Sequence, residues 1–90
     1  MAVVERHVEL RNAHGLHARP ISQMVALVQG HQSSLLVRHS GRDADGASIL
    51  DLMSLGAGPK AELELRAEGD DAEALIQALE ALIEGCFGES

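Results

Sequence analysis

The chain of 90 residues contains no tryptophan and no tyrosine, and phenylalanine occurs once. Single-stranded nucleic acids are usually bound by stacking bases on aromatic rings, a platform this sequence lacks. The core must instead be assembled from Leu, Val, Ile, Ala and Met. Basic side chains are scarce too, with seven Lys and Arg against fourteen Asp and Glu and a net charge of −7. Affinity for a phosphate backbone needs clustered cations that release counterions, so no nucleic-acid partner is expected. The lone cysteine, Cys86, permits neither a disulfide framework nor a cysteine zinc site; this fits a reducing compartment and leaves Cys86 a bystander. No stretch approaches the roughly 20 apolar residues of a membrane span. The opening MAVVERHVEL is charged too early for a signal peptide. A cytoplasmic protein with no membrane contact is the expectation.

What is present is an ordinary globular composition, 46% apolar and 23% charged, in a length that supports one core and not two. Residues 1–90 therefore read as a single domain, expected to be monomeric. Val4, Val8 and Leu10 alternate with Glu5, His7 and Glu9, the period of a half-buried strand over 3–10. Leu16–Gly30 carries Ile21, Met24, Val25 and Val28 at helical spacing, with Pro20 in its first turn. Residues 34–39 and 42–46 flank Ser40-Gly41, a two-residue hairpin connection. Ser48, with Asp51 three positions on, resembles a capping box opening a short helix that ends by Gly56. Ala61–Ala67 alternates as a strand. Asp70–Glu84 sets Leu75, Ile76, Leu79, Leu82 and Ile83 on one stripe, with its acids at the positive end of the helix dipole and Gly85 as a stop. The order βαββαβα predicts an α+β fold in which a four-stranded antiparallel sheet is covered on one face by helices and bare on the other.

The segment Gly15-Leu16-His17-Ala18-Arg19-Pro20 carries the chemistry. A helix start offers N–H groups without intrahelical partners and a positive dipole end, a natural seat for phosphate. Neutral imidazole is a nucleophile near neutral pH and leaves readily, so His17 suits a group that receives and returns a phosphoryl. The permanently charged fork of Arg19 can offset charge developing on phosphoryl oxygens. Gly15, Ala18 and Pro20 would set the backbone around it. The bland alternative is a histidine that merely caps or decorates a helix start.

This segment resembles the active-site signature of HPr, the histidine phosphocarrier of the bacterial phosphoenolpyruvate-dependent phosphotransferase system. The stretch from Ser48 to Gly56 is similar to that family's short helix, and Ala67–Asp71 to its turn into the last helix. The resemblance implies an open-faced β-sandwich of four antiparallel strands with three helices on one face. It also implies phosphorylation of His17 on Nδ1 by phosphorylated enzyme I, steadying of the phosphoryl group by Arg19, and delivery to an EIIA-type acceptor for sugar uptake. Docking is expected around His17 through Ile49, Leu50 and Ser22. Such a protein is a carrier rather than an enzyme, with no cofactor. Ser48 occupies the position of the family's regulatory serine, phosphorylated in some lineages by an HPr kinase/phosphorylase to change partner choice, transcriptional regulators among them.

The sequence departs from the family at Ala26, Gln29, Ala47 and Asp51, where many members have basic residues or glycine. These changes weaken attraction for an acidic acceptor, and Asp51 would repel a phosphate on Ser48. A nitrogen-regulatory or other paralogous branch thus stands beside sugar uptake, and a regulatory adaptor that transfers no phosphate is a further alternative. Ile21 belongs either to the core or to the docking surface. His14 and His17 could be imagined as a metal pair but lack a third ligand in sequence, so no metal site is expected. His7, His31 and His39 are expected to be solvated.

Overall fold

The computed structural model describes residues 2–89. Its elements run β1 (Ala2–Glu9), α1 (Ala18–Gln29), β2 (Ser34–His39), β3 (Arg42–Asp45), α2 (Ile49–Ser54), β4 (Glu62–Gly69) and α3 (Ala72–Glu84), followed by a 3-10 turn over Cys86–Gly88. The four strands form one antiparallel sheet in the order β1-β4-β2-β3. The central strand β4 alternates strictly, burying Leu63, Leu65 and Ala67 and exposing Glu62, Glu64, Arg66 and Glu68. The open face is consequently charged, while the other face meets the stripes Ile21, Met24, Val25 and Val28 of α1 and Leu75, Ile76, Leu79 and Ile83 of α3. Burying side chains of this size contributes about 1.5–3 kcal/mol each.

β1 is an edge strand, and that explains its weaker burial. Val4 and Val8 are half-buried, and Arg6 between them reaches over the rim to Glu73 at 3.2 Å and Glu80 at 3.7 Å on α3. The β2–β3 turn has left-handed backbone at both Ser40 (φ 50°) and Gly41 (φ 79°), the geometry that matches the twist of a two-residue hairpin. Ile21 is fully buried, so it belongs to the core.

Three local expectations are corrected. The first helix begins at Ala18 instead of Leu16, because Leu16 is buried ahead of the helix and its N–H donates to the Ala57 carbonyl at 2.9 Å. The capping box at α2 is half formed: Ser48 Oγ accepts from the Asp51 N–H, but the Asp51 carboxylate turns away to accept from the Asp45 N–H at 3.2 Å. The acidic start of α3 is more than a match to its dipole. The Asp71 carboxylate accepts from the Gln32 and Ser33 N–H groups and from the Ser33 hydroxyl, tying α3 to the entry of β2. These bonds, the Ser33 hydroxyl first, hold the Asp71 carboxyl below its ordinary value.

Candidate functional site

The loop from Asn12 to His17 is built on a glycine. Gly15 is buried with φ +64° and lies close against the Ala57-Gly58 backbone after α2. That contact fixes where the next residues emerge. His17 is the N-cap of α1, extended at φ −104° and ψ −173°, and its side chain caps nothing. His17 thus holds the N-cap position without side-chain capping.

Four backbone positions open α1. The His17 N–H donates to the Gly15 carbonyl at 3.1 Å, and Pro20 has no N–H to offer. The first helical bond closes from the Ile21 N–H to the His17 carbonyl at 3.0 Å. This leaves the Ala18 and Arg19 N–H groups as the open donors of the first turn among the described residues. Arg19 itself is exposed and has no ion pair or side-chain hydrogen bond among those residues. An exposed guanidinium, unpaired among the described residues, thus stands two residues from a half-exposed imidazole.

The ring of His17 has a partner that nothing in the sequence announced. Its Nε2 lies 2.7 Å from Oε2 of Glu89, with the carboxylate side chain 15% exposed and the imidazole 39%. Glu89 is held in turn by Asn12, a buried side chain whose Nδ2 donates both to the Glu89 Oε1 at 3.0 Å and to the Gly15 carbonyl at 2.7 Å. The Asn12 bond, supported by the bond and charge of His17, keeps the Glu89 carboxyl below its ordinary value against the opposing effect of desolvation. His14 stands edge-on to His17, with ring centroids 5.7 Å apart. No group of three or more metal-binding side chains gathers among the described residues.

Beside this centre α2 turns Leu52 inward and leaves Ile49, Leu50 and Met53 exposed at 44%, 79% and 53%. Ser22, one turn into α1, is exposed as well. Met53 was missed in the sequence, although its spacing of three and four from Leu50 and Ile49 was a usable sign. Ser48 lies between two acids: Asp45 accepts from the Ala47 N–H at 2.9 Å, and Asp51 follows as described. None of the helices among the described residues is long and apolar enough to cross a membrane.

Comparison with known proteins places this architecture in the phosphocarrier class. Residues 4–85 match the family described as PTS HPr component phosphorylation site, and the chain belongs to that family. It is 33% identical over 87 residues to the phosphocarrier protein HPr of Cupriavidus necator, covering 97% of this chain and 98% of the relative. It is 32% identical over 87 residues to the phosphocarrier protein NPr of Escherichia coli, covering 96% and 97%. It is also 39% identical over 85 residues to a multiphosphoryl transfer protein of Vibrio cholerae, where it spans 21% of that longer protein's length and 89% of its own. Among solved structures, HPr from Thermoanaerobacter tengcongensis superposes with a TM-score of 0.93 at 39% identity, over 97% of this chain and 98% of that one.

Proposed function

We propose that His17 accepts a phosphoryl group from phosphorylated enzyme I and passes it to an EIIA-type acceptor of a sugar-uptake phosphotransferase system. The observation that carries this reading is the half-exposed His17 ring beside the open Ala18 and Arg19 N–H groups. In the transfer, a ring nitrogen lone pair forms a bond to phosphorus while the bond between phosphorus and the donor residue breaks, its electron pair going to the donor. The phosphoryl oxygens then face the two N–H groups and the Arg19 guanidinium, which stabilise their charge. Ile49, Leu50 and Met53 supply the apolar surface, and Ser22 a polar contact, on which donor and acceptor dock in turn.

A second reading, the nitrogen-regulatory branch, is favoured by specific observations. Identity to the HPr and NPr relatives is nearly equal, and the exposed positions Ala26, Gln29, Ala47 and Asp51 bring no positive charge to the docking side. Ser48 is proposed as a poor kinase site, since a phosphate there would meet Asp45 and Asp51.

The test is incubation with phosphoenolpyruvate and a matched enzyme I shown to be active. The expected adduct survives alkali, decays in acid and is absent from His17→Ala. An unmodified wild-type protein would overturn the carrier reading. Offering the phosphorylated protein to sugar-type and nitrogen-type EIIA acceptors then assigns the branch by which one drains the label faster.

A further inference from the structure

The end of the described chain is bent with evident constraint. After α3 stops at Gly85, both Cys86 (φ 54°) and Phe87 (φ 55°) adopt left-handed backbone, a conformation that costs free energy in a non-glycine residue. Core burial and a hydrogen bond to α1 offset the cost. Phe87 is 1% exposed within the core, and its carbonyl accepts from the Gln23 side chain of α1 at 3.2 Å. The turn is closed by the Gly88 N–H to Gly85 and the Glu89 N–H to Cys86, at 3.0 and 2.9 Å. Residues 85–89 thus form a strap pinned at Phe87, and its product is the placement of the Glu89 carboxylate on His17.

The hydrogen bonds around Glu89 have a forced direction. Gly15 offers a carbonyl, so Asn12 must face it with the amide nitrogen. The second hydrogen of that nitrogen then points to the Glu89 Oε1. An ionised carboxylate accepts and never donates, so the 2.7 Å contact to His17 requires the hydrogen to sit on Nε2. In the neutral ring the lone pair is then on Nδ1. Resting on the carrier reading above, we propose that Glu89 is the positioning residue of His17: its carboxylate locks the ring's tautomer and orientation so that Nδ1 presents the lone pair that takes phosphorus. When Nδ1 bonds to phosphorus, the ring keeps its Nε2 hydrogen and gains positive charge, which the same carboxylate stabilises. A carboxylate oriented on the far nitrogen of a working imidazole is the arrangement that tunes histidine ligands and general bases elsewhere.

The experiment uses the unphosphorylated, 15N-labelled chain at about pH 8, above the ordinary imidazole value of roughly 6.5. In the wild type, the His17 Nε2 should show a slowly exchanging proton and Nδ1 should resonate as an unprotonated nitrogen. In Glu89→Ala that proton signal is lost to exchange with water, and phosphoryl uptake slows by about tenfold. Glu89→Gln keeps the shape of the strap but reverses the bond. With Asn12 committed as donor, the new amide must turn its oxygen to Asn12 and its NH2 to Nε2, driving the ring hydrogen onto Nδ1. Uptake in Glu89→Gln should therefore be slower than in Glu89→Ala, an order that simple loosening of the strap would not produce. Persistence of the Nε2 signal in Glu89→Ala, or wild-type uptake in both variants, overturns the proposal. Failure of the carrier reading is separately visible, as a wild type that shows the Nε2 signal yet takes no phosphoryl from an active enzyme I.

Discussion

Gly15 and Gly58 meet backbone to backbone: a Cβ placed on Gly15 would collide with the Gly58 carbonyl carbon and come within 2.7 Å of the Ala57 oxygen. Neither neighbour is a flexible side-chain end that could move aside. The left-handed φ of +64° adds a conformational penalty for any other residue. Gly15→Ala should therefore cost about 2–4 kcal/mol in chemical denaturation. Because this contact sets the exit of the chain toward His17, the variant should also take up phosphoryl more slowly even at temperatures where it remains folded. A variant as stable as the wild type would show that the loop can back away from Ala57 and Gly58 without loss.

Arg19 gives the opposite pattern. It is exposed and unpaired among the described residues, so Arg19→Ala should leave stability within about 0.5 kcal/mol of the wild type. Its proposed work is on the phosphoryl oxygens, in a site open to water where such a charge is worth less than in a dry one. A loss of about tenfold in transfer rate is expected, read by single-turnover labelling. Unfolding of the variant would instead assign Arg19 a structural role.

The apolar surface of α2 separates docking from chemistry. Leu50 is 79% exposed and packs against little, so Leu50→Glu should not change stability by more than about 0.5 kcal/mol. If Ile49, Leu50 and Met53 seat the donor, a charge at their centre should raise the concentration of enzyme I needed for half-maximal transfer by about tenfold. Labelling by saturating donor would then approach the wild-type rate. An unchanged half-maximal concentration would move the docking surface elsewhere.

Acid sensitivity follows from Asp71. Its carboxyl titrates below the ordinary value because the ionised form accepts from the Ser33 hydroxyl and two backbone N–H groups. The unfolded chain regains the ordinary value of about 3.9, so it binds protons first as pH falls. The stability contributed by Asp71 is then fully present above that value and is lost as pH drops through the lower folded one. Asp71→Asn should flatten this part of the pH profile in thermal unfolding between about pH 5 and 2. A profile with the wild-type slope would locate the acid sensitivity in other carboxylates.

Periodicity was enough for β4 and the two long helices because each is amphipathic by itself, while β2, β3 and α2 were legible through the Ser40-Gly41 turn and the Ser48 cap. The strict alternation Leu63, Leu65, Ala67 and the stripe from Leu75 to Ile83 are local signals, and both faces were placed correctly. The exact start of α1 was not legible, since Leu16 is held out of the helix by a bond to Ala57, forty-one positions away in the chain. The same distinction divides the site. His17, Ala18, Arg19 and Pro20 are contiguous and could be read together, whereas Glu89 follows the stop at Gly85 and reaches His17 across 72 positions. Its placement depends on Phe87 being buried and two residues turning left-handed, which no local propensity favours. Asp71 was read as an answer to its own helix dipole because its partners, Gln32 and Ser33, are equally remote.

Asn12 connects these long-range features, and its replacement should reveal which of its bonds matters. The side chain is 3% exposed and donates to both Gly15 and Glu89, yet its Oδ1 is buried without a partner among the described residues. Removing a buried amide normally costs about 1–3 kcal/mol when its partners are left unsatisfied. In Asn12→Ala the loss of one already unsatisfied oxygen offsets part of that cost, which places the expected destabilisation near the lower end, about 1 kcal/mol. Asn12→Asp keeps the size of the side chain but sets an ionised oxygen against Glu89 and against the Gly15 carbonyl. It should be the more damaging substitution at pH 7, with much of the difference recovered when Glu89→Ala is combined with it. A double-mutant cycle measured by urea denaturation tests this coupling. Strict additivity of the two substitutions would mean that Asn12 serves the Gly15 turn and leaves the placement of Glu89 to the strap alone.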